Sequence, residues 1–491
     1  MAILITSPGL VTTGTEGADD IRFTTGGLLI GNGSVVNGLA GNDTITTTDG
    51  GVMTRSAAQI GAGVSVNAGG GADSVDVFIS GSTQSADNAI VAGGAGRDTI
   101  TVGAASGVAA FTNVAGGDGG DIITIQTGTY SAIGGGAGLD TIELTGTVII
   151  AAGAGIKAGA GNDKISAGSI GLLTGSSILG GGGADTITVD GALMATGVVI
   201  NGDSTIDGGG ADVITVTNSF NGTIIRGKGG ADTIDIAALG ASAVVAGNAG
   251  GDVITVSGAA AAGAAVRGGQ GGDVITLSAV QTNAVQVFGG GGKDTIVLTG
   301  GAAPNLTMVA GAGVDSITFS GIAAGDDLGV LGISDMGDSK LGAMDTVDVS
   351  GLGAGLAADI DFAILSPVSL ESAAALGGIA DVTASDAGTT TGLGFTTGVG
   401  QSGSVTNGAM SFSGQASASV ATAATYADAA TRLGSTAAAG RAVLFTALGG
   451  DEYLFIQGGA SGTDDDYIIK FNGASGSTIV AGTTNIDLKG A

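Results

Sequence analysis

An aspartate that closes a glycine-rich turn and opens an alternating apolar strand recurs along this 491-residue chain. The pattern G-G-x-G-x-D-x-I-x is complete around Asp98, Asp121, Asp140, Asp185, Asp273 and Asp294. It returns with departures around Asp19, Asp43, Asp73, Asp163, Asp212, Asp232, Asp252 and Asp315, and a more degenerate copy surrounds Asp345. The chain has no Cys and no His, which removes thiolate and imidazole metal sites, Ser-His and Cys-His nucleophiles and the HExxH motif. The remaining metal chemistry is that of oxygen ligands, which favour a hard cation such as Ca²⁺. The fourteen aspartates from Asp19 to Asp315 are therefore candidate metal ligands, and no residue stands out as catalytic.

The elements that must position them follow from the spacing. From Asp212 the aspartates fall at 232, 252, 273, 294 and 315, and a repeat near 21 residues signals a solenoid. After each Asp comes a strand of period two: Ile187 and Val189 face inward while Thr186 and Thr188 face outward. The same register returns at Ile254 and Val256, Ile275 and Leu277, Ile296 and Leu298, and Ile317 and Phe319. A second apolar file, Val245, Val266, Val287 and Met308, precedes the glycine turns. One coil buries too little to stand alone, so about 14 stacked coils would form a rod of roughly 65 Å. With 101 Gly, 3 Pro and 3% aromatic residues, the core must come from Ile, Val, Leu and Ala in thin layers.

Stacking places the carboxylates about 4.8 Å apart, where two charges repel by roughly 1 kcal/mol in water and several times that at an effective dielectric of about 20. A divalent cation between successive corners, taking carboxylate oxygens and turn carbonyls, relieves this. About 13 calcium ions would nearly cancel the formal charge of -29. The alternative is that Gly and Asp are turn formers only, with Asp making local Asx bonds. Asp, rather than Asn or Ser, in every copy favours the metal. The Thr residues beside the inward Ile read as a solvated face; ice binding would call for a Thr-x-Asn array, which the turns lack.

These nonapeptides resemble the calcium-binding repeats of the RTX family over about residues 14–345. The resemblance implies a parallel β-roll in a secreted bacterial protein, with calcium stacked between coils. The family's roll has two nonapeptides per coil whereas this chain has one, so one calcium ladder is expected along one edge. GKGGAD at Asp232 and GNAGGD at Asp252 depart in their glycines.

The expected architecture is all-β: a parallel β-solenoid over residues 1–351, then a small β-rich or α+β domain over 352–491. In the latter, Ser369 to Leu376 and Thr425 to Ala439 read as helices, GSVTNGAMSFSG as an Asn-Gly hairpin, and RAVLFTAL, DEYLFIQGG and DDDYIIKFNG as strands. Asp464, Asp465 and Asp466 read as an acidic loop, and Asp451 with Glu452 as neighbours pointing to opposite faces. The region is similar to terminal regions of proteins exported by type I secretion, which carry an uncleaved C-terminal signal. That similarity fits an N-terminus without a basic region or cleavage site.

The acidic balance disfavours nucleic acid and anionic membranes as partners, and no run of about 18 apolar residues marks a membrane span. With nearly the whole chain given to repeats or export, the expectation is a non-enzymatic, extracellular, calcium-dependent structural protein. It would self-assemble into a surface layer or filament, with cell-envelope polysaccharide as a further partner. An adhesin binding through half-coil loops such as Ser80 to Ala89 is the alternative. A secreted polysaccharide-acting enzyme is weaker, since only 4 Tyr are present to support a lyase.

Overall fold

The computed structural model describes most of residues 11–333, with residues 2–5 ahead of them and 339, 343–352, 357–364, 377–378, 382–384, 402–406, 409–413, 441–446, 451–456, 467–475, 477–479 and 485–490 beyond. All described regular elements are strands. Residues 11–331 form a parallel β-solenoid with coils of about 22 residues, as the aspartate spacing predicts. The chain divides into two compact units, residues 1–249 and 250–491.

In the first unit each coil supplies a strand after the motif aspartate and another leading into the glycine turn. Thr99–Ala104, Ile122–Ile125, Thr141–Leu144, Lys164–Ala167 and Thr186–Val189 pair in parallel, stacking Ile100, Ile123, Ile142, Ile165 and Ile187. The facing sheet stacks Val91, Val114, Ile133, Ile156 and Ile178 from Ile90–Ala95, Thr112–Asp118, Gly128–Ala137, Val148–Ala160 and Ser177–Gly182. All ten side chains are buried. β-Branched residues suit these files because their stiff side chains repeat one rotamer on a pleated surface. Each buried Ile or Val contributes about 1.5–3 kcal/mol, but only when a coil lies on either side. Thr186 is exposed and Thr188 half-buried, in line with the outward register.

The turn Gly116–Asp121 shows why the glycines are needed. Gly117 has φ +123°, and a Cβ there would lie 1.8 Å from the Gly94 carbonyl oxygen one coil back. Gly116 has ordinary φ; its Cβ would instead strike the Asp121 Oδ2 at 2.3 Å and the Gly135 carbonyl oxygen at 2.5 Å. The first glycine thus makes room for the carboxylate, and the second makes the stack possible. Gly117→Val is expected to cost about 2–5 kcal/mol, from left-handed strain and overpacking, read as a lower urea midpoint.

Leu39, Lys228 and Asn248 hold Gly117's place in their own turns, with φ of +81°, +88° and +81°. The degenerate motifs therefore adopt the same turn under strain. Leu39 is half-exposed on the surface of its coil, so Leu39→Gly is expected to stabilise by up to about 1 kcal/mol, measured by the same denaturation.

In the second unit Val253–Val256, Val274–Leu277, Thr295–Thr299, Ser316–Ser320 and Asp345–Asp348 are successive parallel neighbours. Their inward file is Ile254, Ile275, Ile296, Ile317 and Val347, faced by Val266, Val287 and Met308. Tyr467–Asn472 then pairs in parallel with Asp345–Asp348, while Glu452–Ile456 runs antiparallel to Tyr467–Asn472 and Arg441–Thr446 antiparallel to Glu452–Ile456. Asn485–Lys489 lies antiparallel to Ala357–Ile364.

The two strands expected of the hairpin, Ser402–Thr406 and Ala409–Ser413, pair antiparallel. Asp451 pairs with Lys470 at 2.9 Å, whereas Glu452 is buried and accepts the Ser477 N–H at 3.0 Å. The helices expected at Ser369 to Leu376 and Thr425 to Ala439, the Asp464 to Asp466 cluster, and all of the Ser80 loop except Ala89 lie outside the described residues.

Candidate functional site

The glycine turns carry every motif aspartate to the same corner of its coil. Asp19, Asp43, Asp73, Asp98, Asp121, Asp140, Asp163, Asp185, Asp212 and Asp232 do so in the first unit, and Asp252, Asp273, Asp294 and Asp315 in the second; all are buried, at most 3% exposed. Asp345 continues the second file at 5% exposure.

One carboxylate oxygen of each stacked aspartate has a backbone partner. The N–H of Asp73 donates to Oδ1 of Asp98 at 2.8 Å, that of Asp98 to Asp121, that of Asp121 to Asp140, and that of Asp140 to Asp163 at 2.7 Å. The same bond joins Asp252 to Asp273, Asp273 to Asp294, Asp294 to Asp315 and Asp315 to Asp345. This differs from the expectation that the aspartates of adjacent coils face one another as bare charges. The acceptor on one coil meets a donor on the coil before it, because side chain and peptide N–H leave the corner in opposite directions along the stack.

The other oxygen is the chemically open one. Oδ2 of Asp43, Asp73, Asp98, Asp121, Asp140, Asp163, Asp185, Asp212, Asp273 and Asp294 is buried without a hydrogen-bond partner. Its surroundings are themselves acceptors. A Cβ on Gly93 would touch Asp98 Oδ2 at 2.4 Å and the Gly116 carbonyl oxygen at 2.7 Å; on Gly268 it would touch Asp273 Oδ2 at 2.3 Å and the Gly289 oxygen at 2.5 Å. Oδ2 and the first-glycine carbonyl of the following coil therefore crowd one α-carbon. A buried carboxylate oxygen without a donor, set beside another acceptor, requires a proton or a cation.

Burial, partly offset by the backbone N–H of the preceding aspartate, pushes Asp98 and Asp140 up to about 6, Asp185 and Asp294 to about 7, and Asp212 to about 8. The donor set, one carboxylate with turn carbonyls, is hard oxygen throughout and fits Ca²⁺ in type. Among the described residues no three acidic side chains gather into one cluster.

In the second unit the file ends differently. Asp345 donates its N–H to Ser339 Oγ at 2.7 Å, and Ser339 Oγ donates in turn to the Ile468 carbonyl at 2.5 Å. Tyr467 Oη donates to Asp345 Oδ2 at 3.2 Å. A hydroxyl replaces the next carboxylate, and a phenol supplies Oδ2 with a donor, as the Thr15 N–H and hydroxyl do for Asp19 in the first unit. Ser339→Ala is expected to cost about 1–3 kcal/mol by leaving the buried Asp345 N–H without its acceptor, measured by urea unfolding.

Sequence reasoning missed three parts of the site. The carbonyl partners are backbone and carry no residue signature. Ser339 is a single residue outside the repeat. Asp203 is a further buried carboxylate, 1% exposed, with an unpartnered Oδ2. Compared with the models of known protein families, with curated proteins and with solved structures, the chain matches none.

Proposed function

We propose that this chain is a calcium-dependent extracellular structural protein of RTX type, which assembles with copies of itself into a surface layer or filament. The observation that carries the calcium part is the recurring buried Oδ2 of a motif aspartate, without a hydrogen-bond partner and set beside the carbonyl of the next coil's first glycine. Calcium would be held there by Asp43, Asp73, Asp98, Asp121, Asp140, Asp163, Asp185, Asp212, Asp273 and Asp294, and would supply the positive charge that the corner lacks. Asp19, expected as a ligand, falls outside this set because Thr15 bonds its Oδ2 through both N–H and hydroxyl, and Asp345 does so because Tyr467 bonds its Oδ2.

Assembly is supported by the resemblance of the repeats and by a composition given over to stacked coils rather than to catalytic groups. Outward files of Thr, Ser and Val on parallel strands, such as Val274, Thr295 and Ser316, provide a regular face for packing against another copy. On this reading the protein is not an enzyme, and type I export delivers it to the cell surface.

Electron microscopy of the full chain, before and after calcium addition, tests the proposal. Ordered sheets or fibres that disperse on chelation are expected. Discrete particles at saturating calcium would remove self-assembly and leave a calcium-stabilised adhesin.

A further inference from the structure

The turn Gly202–Asp212 breaks the pattern of the first unit in a directed way. By strand register Asp203 takes the place of Gly181, the second glycine of the preceding coil. Five residues more than the ordinary spacing then separate it from the end of the motif at Gly209, Gly210, Ala211 and Asp212. Gly210 resumes the stack, since a Cβ on it would lie 2.1 Å from the Gly183 carbonyl oxygen and one on Gly230 would lie 1.9 Å from that of Gly210. The insertion therefore leaves the coil in place and adds a carboxylate to its corner.

Both carboxylates are enclosed. Asp203 and Asp212 are each 1% exposed, and Oδ2 of each has no hydrogen-bond partner. The hydrogen bonds to Asp203 come from backbone alone: the Gly210 N–H reaches Oδ1 at a long 3.4 Å, and the Gly229 N–H also favours the ionised carboxylate. Each open oxygen faces a carbonyl of the next coil. A Cβ on Gly209 would touch Asp203 Oδ2 at 1.6 Å and the Gly229 oxygen at 2.4 Å, and one on Gly202 would touch Asp212 Oδ2 at 1.9 Å and the Gly227 oxygen at 2.9 Å.

Lys228 is the available protein cation and its charge favours an ionised Asp203, yet its Nζ donates to the Ser204 carbonyl at 2.9 Å, and no ion pair joins the two among the described residues. Asp203 adds its repulsion to Asp212 and to Asp185, so it acts on the corner electrostatically as well as geometrically.

We propose that Asp203 and Asp212, with the carbonyls of Gly227 and Gly229, form a two-carboxylate divalent-cation site that binds calcium more tightly than the single-carboxylate corners. Two negative charges match one divalent ion, whereas an ordinary corner offers one. The site rests on the same argument of facing acceptors as the ladder, but it does not require the ladder to fill.

Calcium titration of the full chain by isothermal calorimetry is the test. One equivalent is expected to bind ahead of the rest, with affinity about ten-fold higher or more. Asp203→Asn should remove that equivalent and leave the weaker class in place. Asp203→Gly, which restores the glycine of the preceding coil and so guards against misfolding of the first variant, should do the same. A wild-type titration with a single weak class, or variants that keep the tight equivalent, would overturn this site while leaving the ladder standing. A single tight equivalent lost in both variants, with no weaker class, would support this site and overturn the calcium ladder. No calcium binding at all would overturn both.

Discussion

Removing calcium at neutral pH is expected to unfold the solenoid coils, with loss of the β-sheet circular dichroism signal and its return when the ion is restored. A site held at about 100 times its dissociation constant contributes about 2.7 kcal/mol of linkage. Several such corners together exceed the roughly 5–15 kcal/mol that keeps an ordinary domain folded. A single corner can be probed without emptying the rest. Asp121→Asn keeps an acceptor for the Asp98 N–H and gives the corner an amide N–H aimed toward the Gly135 carbonyl. This variant should raise the unfolding midpoint of the metal-free chain and lower that of the calcium-loaded chain. A spectrum and midpoint indifferent to chelation would sink the calcium account.

The second large effect is a dependence on pH that reverses with the metal. Burial raises the stacked aspartates, from the ordinary 3.8 to about 6 at Asp98 and Asp140, about 7 at Asp185 and Asp294, and about 8 at Asp212. The folded chain thus holds protons that the unfolded chain releases. In the absence of metal, this contribution to stability is fully present below about pH 4 and is lost as pH rises through 6 to 8. A proton on Oδ2 also gives the facing carbonyl its missing donor. Thermal unfolding of calcium-stripped protein should show a midpoint that falls from pH 4 to pH 8. With excess calcium the slope should reverse, since protons compete with the ion for the same oxygens. A metal-free midpoint that rises over this interval would show that the carboxylates are not buried as bare acids.

Much of the fold is legible in the residues because the period is strict where the structure is strict. Ile275, Ile296 and Ile317 recur at one spacing and stack at one register, so the strand, its inward face and the corner aspartate follow together. What escapes is whatever the backbone does. The N–H of one aspartate reaching the carboxylate of the next leaves no mark on residue choice beyond the aspartate itself. Asp203 is hidden because the inserted residues move it away from the motif, while Asp212 keeps the match. Leu39 and Lys228 look like weakened repeats, yet both adopt the glycine conformation, because the coils on either side fix the path of the turn. Ser339 and Tyr467 are 128 residues apart in sequence and meet at one aspartate, which no local pattern announces.

The hydroxyl at Ser339 gives the second file a direction. Every aspartate N–H from Asp252 to Asp315 looks forward for its acceptor, and Asp345 looks to Ser339, itself anchored on the strand Tyr467–Asn472. During synthesis each new coil would therefore emerge with an unmet donor until its successor arrives, whereas the acceptor of Asp345, Ser339, is already made and waits only for its own anchor at the Ile468 carbonyl. Such a file would be satisfied coil by coil as the chain grows, and its final anchor closes only when the strand Tyr467–Asn472 has been made.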